Sequence, residues 1–308
     1  MKTDLKMENQ SQKLLGNLGC FFAMLMWSFT FPVSEVLLET WGVMALIVTR
    51  TMLAVMTLMV IWVWFDGLAK VLSAPWVRGI MVGGVGFGIG AILLLVGQKM
   101  SDPVTPAIAA AMMPIAGAAV EVIFDKRRLR LRLIIAVAFA LIGGLLAGGV
   151  NLGDATFGLG TVFCIIGIFL FAWVTRAATR EFQTLSSIGQ TTVTLIGCLI
   201  VVIIIYALCL ITGLGETHVG STSSTNLLFL LVMSVASIAI AQLLWIWGAD
   251  RLGILFASLH MNVAPFYVMA IVVTFMREHW VWSQAFGAII VGLGVLIAQS
   301  HNWRKVQK

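Results

Sequence analysis

Charged residues are scarce in this chain of 308 residues. They make up only 10% of the sequence, whereas hydrophobic residues make up 60% and the mean hydropathy is +1.04. Soluble domains carry about 25% charged residues, so this composition excludes an ordinary soluble protein and predicts an integral membrane protein. The net charge of +6 is explained by chain orientation in the membrane, so we expect a lipid bilayer and no nucleic acid as partner.

Cysteine is also rare. The four cysteines occur in apolar runs without a CxxC pair or a histidine at ligand spacing: Cys20, Cys164, Cys198 and Cys209. This pattern supports neither a disulfide framework nor a metal site. The sequence also lacks HExxH, GxSxG and facing aspartates within apolar runs, so we expect no enzyme and no cofactor. A channel is harder to exclude, although no filter-like loop or charged ring is present.

Ten predominantly apolar runs of about 20 residues are present, each with at most one charged residue, and this is the length that crosses the hydrocarbon core of a bilayer. The runs are roughly 14–37, 41–65, 76–97, 104–124, 131–150, 157–178, 185–212, 226–248, 254–276 and 281–299. The sequence therefore predicts an all-α integral membrane protein with ten transmembrane helices, called spans one to ten below.

The basic residues predict the orientation of the chain. With ten spans, every lysine and arginine except Lys99, Arg277 and Arg50 falls on the side of the two termini. Positive residues concentrate in cytoplasmic loops, so we expect both termini in the cytoplasm of a cell bounded by a bacterial-type inner membrane.

An internal repeat relates the two halves of the chain. Residues 254–298 match residues 103–147 at a shift of 151 positions, and the paired residues are Pro114 and Pro265, Phe124 and Phe275, Lys126 and Arg277, Gly143 and Gly294, and Ala147 and Ala298. Because each half has five spans, the copies cross the membrane in opposite senses. Inverted repeats of this kind are typical of secondary transporters that work by alternating access.

The repeat also predicts the domain organisation. We expect a cytoplasmic tail (1–13), a first five-helix repeat (14–150), a second inverted repeat (151–299) and a basic cytoplasmic tail (300–308). Small residues in span five could form a subunit contact, so both a monomer and a homodimer remain open: Gly143, Gly144, Ala147 and Gly148.

Polar side chains within spans are candidates for substrate binding, because they are expensive in a bilayer. Span eight carries Gln242, and span nine carries His260 and Asn262. The first half has alanine at all three equivalent positions, so polarity is concentrated on one wall. These side chains can bind a small-molecule substrate, or they can hydrogen-bond each other between packed helices.

Tryptophan and methionine residues within the spans predict an apolar pocket that adapts to hydrophobic or aromatic ligands. The candidate residues are Trp27, Trp173, Trp245, Met24, Met112 and Met113. Lipid exposure or core packing is the alternative for each of them.

Glycine and proline mark candidate gating elements. Span three contains Gly83, Gly86 and Gly90, which favour close helix packing or sliding. Pro32, Pro114 and Pro265 interrupt spans one, four and nine. Proline bends a helix and frees a backbone carbonyl, so these three residues are candidate hinges.

Arg50 lies inside span two. It can anchor a substrate carboxylate, but the sequence favours snorkelling or pairing with Glu35 or Glu39. No aspartate or glutamate lies near the centre of a span, so the sequence favours facilitated transport, with His260 as the one evident proton-active group there.

Several residues resemble the EamA-type repeat of the drug/metabolite transporter superfamily. They are Glu278, Gln284, Gly287, Ala288 and Gly294 at the end of the chain, with Trp27-Ser28 and Phe171-Ala172 in spans one and six. The first half departs from the pattern, with Arg127, Leu133 and Ala136 at the positions of Glu278, Gln284 and Gly287. The resemblance is strongest to the exporters of aromatic amino acids. It implies a ten-helix basket whose central cavity is lined by spans one, three, four, six, eight and nine. It also implies export of aromatic and other neutral amino acids, with multidrug efflux as the alternative.

Overall fold

The computed structural model describes residues 2–124, 155–252 and 257–299, together with positions 135, 138, 139 and 142. Every regular element within these residues is a helix. Span five falls outside this described part except at those four positions, and so do its small residues Gly143, Gly144, Ala147 and Gly148.

The α-helices of the described residues are numbered here in chain order. They are α1 (Lys2–Ser28), α2 (Thr30–Leu38), α3 (Val43–Asp66), α4 (Leu68–Leu72), α5 (Trp76–Gly83), α6 (Gly90–Lys99), α7 (Val104–Ala111), α8 (Met113–Phe124), α9 (Ala155–Glu181), α10 (Ser187–Thr212), α11 (Ser224–Leu231), α12 (Ala241–Leu252), α13 (Ala264–Phe275) and α14 (Trp282–Gln299). Two π-helical segments, Gly84–Ile89 and Val232–Ile240, and a 3-10 helix, Ser258–Val263, connect some of them.

Six helical stretches are long and apolar enough to cross a bilayer. They are Ser11–Leu38, Val43–Asp66, Trp76–Lys99, Gly158–Glu181, Ser187–Thr212 and Ser224–Leu252. They coincide with spans one, two, three, six, seven and eight. Span four is formed by α7 and α8, which bend by 46° and make a seventh crossing if they are counted together. The all-helical multi-pass architecture is confirmed, whereas the predicted number of ten spans is not.

The break in span one follows from Pro32. Proline has no N–H, so the carbonyl of Ser28 cannot receive the usual helical hydrogen bond from residue 32. Helix α1 ends at Ser28 and α2 begins at Thr30. The hydroxyl of the same residue, Ser28, donates a hydrogen bond to the Met24 carbonyl at 2.7 Å. The helix is therefore interrupted at residue 29, near Pro32, within the single apolar stretch Ser11–Leu38, and a bend or hinge at Pro32 stays a prediction.

Pro114 and Pro265 occupy matching places in their helices. Each is the second residue of a helix that follows a break, since α8 begins at Met113 and α13 begins at Ala264. A proline fits the first turn of a helix, where its missing N–H has no intrahelical partner to lose. The two copies of the repeat are thus interrupted at equivalent positions.

The two π segments also occupy matching places. They end at Ile89 and Ile240, which are 151 residues apart and therefore related by the shift of the sequence repeat. A π segment is rare and often marks a functional site. Spans three and eight thus share an irregularity at the same point.

The glycines of span three allow close packing of its backbone on neighbouring helices. A Cβ atom at Gly83 would overlap the carbonyl oxygen of Thr194 in α10, and one at Gly86 would overlap Val174 in α9. Gly90 is less tight, with 3.3 Å between an added Cβ and the nearest carbonyl of α9. This geometry fits the packing role expected from the sequence, and sliding or gating stays a prediction.

Contacts between helices bring spans one, two, three, six, seven and eight together. Helix α9 packs along α6, α10 packs against α3 and α5, and α1 packs along α12. The helices that bear the candidate residues in spans one, three, six and eight therefore face a common space.

Candidate functional site

A cavity lies between six helical spans near the middle of the bundle. It is lined by Trp27, Thr30, Phe31, Arg50, Thr51, Phe87, Ala91, Leu94, Leu95, Gln98, Phe171, Leu195, Cys198, Ile238 and Gln242, and it is called the central cavity below. Its volume is about 80 Å³, so it must widen to admit a ligand larger than a few water molecules. Spans one, three, six and eight line it, as the family resemblance implies, and α3 and α10 line it as well, whereas spans four and nine, which the resemblance also implies, contribute no residue to the described lining.

Four aromatic side chains form one side of the central cavity. Trp27 contacts Phe31 edge-on with 4.9 Å between ring centroids, and Phe87 contacts Phe171 in the same way at 4.9 Å. Trp27 and Phe171 join the two pairs at 6.3 Å. Edge-to-face contacts of this kind fix the ring positions. These four residues, called the aromatic wall below, present a large and ordered apolar surface.

The amide groups of the cavity differ in how well they are satisfied. Gln98 donates hydrogen bonds to the Phe31 carbonyl at 2.8 Å and to a carboxylate oxygen of Glu35 at 3.2 Å. Gln242 is buried, and its Nε2 atom has no hydrogen-bond partner, as is also true of the Thr30 hydroxyl. A buried polar group without a partner costs about 1–3 kcal/mol. Gln98 is therefore held in place, whereas Gln242 and Thr30 remain available to a ligand.

Arg50 is the cation of the central cavity. Its side chain is only 6% exposed, and its Nε atom has no hydrogen-bond partner. The closest polar contact of its guanidinium is weak, from Nη1 to the Met233 sulfur at 4.0 Å. The pairing favoured from the sequence is not formed, because Glu35 is engaged by Gln98 and Glu39 is exposed. Span two turns this arginine towards the interior.

A smaller cavity adjoins the first and shares three of its residues. It is lined by Met24, Trp27, Phe171, Ala241, Gln242, Trp245 and Met261. The indole Nε1 of Trp245 is buried there without a hydrogen-bond partner. The unpartnered amide of Gln242 thus belongs to a residue that lines both cavities. The smaller cavity also contains the flexible side chains of Met24 and Met261, which come from two different helices.

The structure brings together four of the residues predicted to bind substrate. Gln242 and Trp27 line both cavities, and Met24 and Trp245 line the smaller one. Ala91, which corresponds to Gln242 under the shift of 151 positions, also lines the central cavity. The repeat therefore brings equivalent positions to one site.

Five other predicted residues lie elsewhere. His260 contacts the Ala257 carbonyl within its own helical turn at 3.2 Å, and Asn262 is partly buried with an unpartnered Oδ1. Neither lines the two cavities, and neither is a hydrogen-bond partner of the Gln242 Nε2 atom, which has none. Trp173 packs near Phe124, and Met112 and Met113 are buried in separate apolar cores.

The sequence reasoning missed Thr30, Thr51, Phe87 and Gln98 as cavity residues. Gln98 is a polar residue close to the end of span three, and this signal could have been used. The others give no sequence signal, because threonine and phenylalanine are common throughout apolar helices. Among the residues that the structure describes, no group of three or more His, Cys, Asp or Glu side chains could hold a metal ion.

Residues of the family pattern fall in two places. Trp27 and Phe171 line the central cavity. Gln284 instead lies near the Asp102 carboxyl, so the start of α14 is close to the start of α7. Glu278 borders a shallow cavity beside Gln284. The closing part of the pattern therefore lies away from the central cavity.

Comparisons with known proteins agree with this architecture. No curated protein sequence matches the chain. Among solved structures, a crystal structure of a protein matches with a TM-score of 0.68 and 19% identity, covering 96% of this chain and 98% of its own. That likeness establishes a shared fold. The family model of EamA-like transporters matches residues 14–149 and 158–299. The chain therefore belongs to the EamA-like transporter family, whose members are membrane transporters of small molecules and not enzymes.

Proposed function

We propose that this protein exports aromatic and other neutral amino acids through the central cavity. The observation that carries the proposal is that an aromatic wall and a set of polar groups, Arg50, Gln98 and Gln242, line the same space. An amino acid with an apolar side chain has the matching division into an apolar and a polar part. Pockets for small molecules combine an apolar lining with a few placed polar groups in this way.

The transport mechanism is alternating access between two inverted repeats, 14–150 and 151–299. Three observations support it: the family model matches each half, the π segments end 151 residues apart, and Pro114 and Pro265 occupy equivalent helix positions. Exchange of conformation between the two halves would open the cavity first to one side and then to the other. Pro32, Pro114, Pro265 and the span-three glycines Gly83, Gly86 and Gly90 are the proposed hinges and sliding surface.

Both termini are placed in the cytoplasm, in a bacterial-type inner membrane. The distribution of basic residues supports this orientation. Arg78 pairs with Glu181 at the end of the bundle assigned to the cytoplasm, and Lys99 pairs with Glu216 at the opposite end. Export is then movement from the end near Arg78 to the end near Lys99.

Transport follows the gradient of the substrate. The lining of the central cavity contains one cation and no carboxylate. A proton relay in a membrane protein ordinarily uses chains of Asp, Glu or His, and this lining supplies none of them. A transport rate that followed an imposed pH gradient, without a substrate gradient, would contradict facilitated transport.

Uptake into proteoliposomes tests the proposed substrate class. We expect saturable uptake of radiolabelled L-phenylalanine and L-leucine, and no uptake of labelled L-glutamate or L-lysine. Protein-free liposomes measure the leak. The alternative, a multidrug carrier, is favoured by the aromatic wall alone. Ethidium transport that exceeds amino-acid transport would support that alternative and contradict our proposal.

A further inference from the structure

The Arg50 side chain is an isolated charge in an apolar environment. Its guanidinium remains protonated in proteins, and an arginine at the centre of a membrane helix costs about 2.5–3.5 kcal/mol even on insertion-based scales. Among the described residues it forms no ion pair. Such a cost is ordinarily offset by a counter-ion, and the described residues around Arg50 do not provide one.

The geometry leaves most of the guanidinium free to bind a ligand. Arginine has five N–H donors in a planar fork that fits a carboxylate with two parallel hydrogen bonds. Here the one described contact is with the Met233 sulfur, a weak acceptor, and Nε has no partner. Arg50 and its neighbour Thr51 both line the central cavity. An anion in the cavity can therefore reach this fork.

The cavity is selective for the sign of the charge. No Asp or Glu belongs to its lining within the part of the chain that the structure describes. The Glu35 carboxylate accepts a hydrogen bond from the amide of Gln98, which is a lining residue, but Glu35 does not itself line the cavity. A ligand ammonium group would meet Arg50 without a compensating anion. The fixed charge of the lining thus favours a carboxylate over an ammonium group, for which the lining supplies only neutral acceptors.

We infer that the central cavity is a binding site for apolar monocarboxylates, with Arg50 pairing the carboxylate and the aromatic wall contacting the apolar group. This inference rests on the proposed function, which it sharpens: the carboxylate of a transported amino acid is required, and its α-ammonium group is not. Deaminated acids bind, and decarboxylated amines do not. Arg50 determines this specificity.

Ligand-induced thermal stabilisation of the full-length protein in detergent tests the inference without requiring transport. The probes are L-phenylalanine, 3-phenylpropionate, octanoate and phenethylamine, each titrated to millimolar concentration. We expect the three carboxylates to raise the unfolding temperature of the wild type and phenethylamine to leave it unchanged. The inference is wrong if phenethylamine binds as tightly as 3-phenylpropionate, or if no carboxylate binds.

Two variants and one control separate the role of Arg50 from general effects on folding. Arg50→Met should weaken 3-phenylpropionate binding at least tenfold, and Arg50→Lys should weaken it less because it keeps the charge. Arg78→Met is the control, since Arg78 is an exposed arginine that pairs with Glu181 outside the cavity, and it should match the wild type. Unchanged carboxylate affinity in Arg50→Met would overturn the inference. If that variant does not fold, Arg50→Lys and the comparison of probes on the wild type still decide.

Different experimental results would refute the proposed binding site and the proposed transport function. Carboxylate binding that depends on Arg50, without flux in proteoliposomes, would refute the transport proposal and leave the site. Saturable phenylalanine flux with equal binding of phenethylamine would support transport and refute the site.

Discussion

At the scale of single residues, the central cavity carries polar groups that the fold leaves unsatisfied. Gln242 is 8% exposed, and its amide nitrogen has no hydrogen-bond partner. The indole nitrogen of nearby Trp245 is also buried without a hydrogen-bond partner. Stability alone would favour an apolar side chain of similar size at position 242, because an unsatisfied buried amide is costly. A ligand that accepts a hydrogen bond from Gln242 gives a physical reason for the amide.

Gln242→Leu tests this reason. We expect the variant to be as stable as the wild type or more stable by up to about 1–3 kcal/mol, since the unsatisfied amide is removed. The KM for L-phenylalanine should rise about tenfold, which corresponds to about 1.4 kcal/mol of lost binding free energy. Thermal unfolding and uptake assays measure the two effects.

His260→Ala serves as the comparison for Gln242→Leu. It tests the sequence-based prediction that His260, which lines neither of the two cavities, binds substrate. If Gln242→Leu lost stability and kept the wild-type KM, the amide would be a packing residue. In that case our account of the site would be wrong at this position.

At the scale of elements, span three depends on glycine for its contact with α10. Gly83→Ala would force the new methyl group against the Thr194 carbonyl, which is backbone and cannot swing away. Overpacking of this kind costs about 1–3 kcal/mol. We therefore expect a lower unfolding temperature for Gly83→Ala.

Gly117→Ala is the matched control, because Gly117 lies in helix α8 and an added Cβ there meets nothing within 4 Å. Alanine has a higher helix propensity than glycine by about 1 kcal/mol, so this variant should be neutral or stabilising. Equal destabilisation by both substitutions would show that the Gly83 contact is not the cause.

Helix α7 depends on a half-buried carboxyl group at its start. Asp102 accepts hydrogen bonds from the backbone N–H groups of Val104 and Thr105 at 2.7 and 2.8 Å. Removing such a cap costs about 0.5–2 kcal/mol. Asp102→Ala should therefore lower stability by about this amount, whereas Asp102→Asn retains an oxygen acceptor and should cost less.

The same residue predicts a pH effect on stability. Burial raises the pKa of the Asp102 carboxyl above its ordinary value, although hydrogen bonds from Thr105 and Val104 oppose the shift. The folded protein therefore binds this proton more tightly than the unfolded chain. Its contribution to stability is present at low pH and is lost as the pH rises from about 3.9, the ordinary aspartate pKa, through the raised value. Subtracting the Asp102→Asn profile from the wild-type profile should reveal this fall. A difference that rose with pH would contradict it.

At the scale of the whole molecule, the sequence predicts the class of protein and much of its arrangement. Apolar runs of about 20 residues gave spans one, two, three, six, seven and eight, because length and composition are what the bilayer requires. Pro32 and Pro114 marked two breaks, because a missing N–H acts locally. Gln242 was found because a polar side chain within an apolar run is conspicuous.

Features that depend on packing could not be predicted in this way. For Arg50 the sequence favoured snorkelling or an acidic partner over a substrate carboxylate, since sequence does not reveal which face of α3 meets the bundle. His260 and Asn262 were expected beside Gln242 from their depth alone, and depth does not determine the rotation of a helix. The π segments give no clear signal in composition, although their positions follow the repeat.

The central claim is that one cavity, reached from either side in turn, carries the substrate across the membrane. Counterflow in proteoliposomes tests it most directly: vesicles are loaded with unlabelled L-phenylalanine, and the entry of trace labelled L-phenylalanine is followed over time. The account predicts a transient accumulation of label above its external concentration, because exchange through a single site is faster than net export. Entry that only approaches equilibrium, at a rate proportional to concentration and unaffected by internal substrate, would contradict it and indicate a channel.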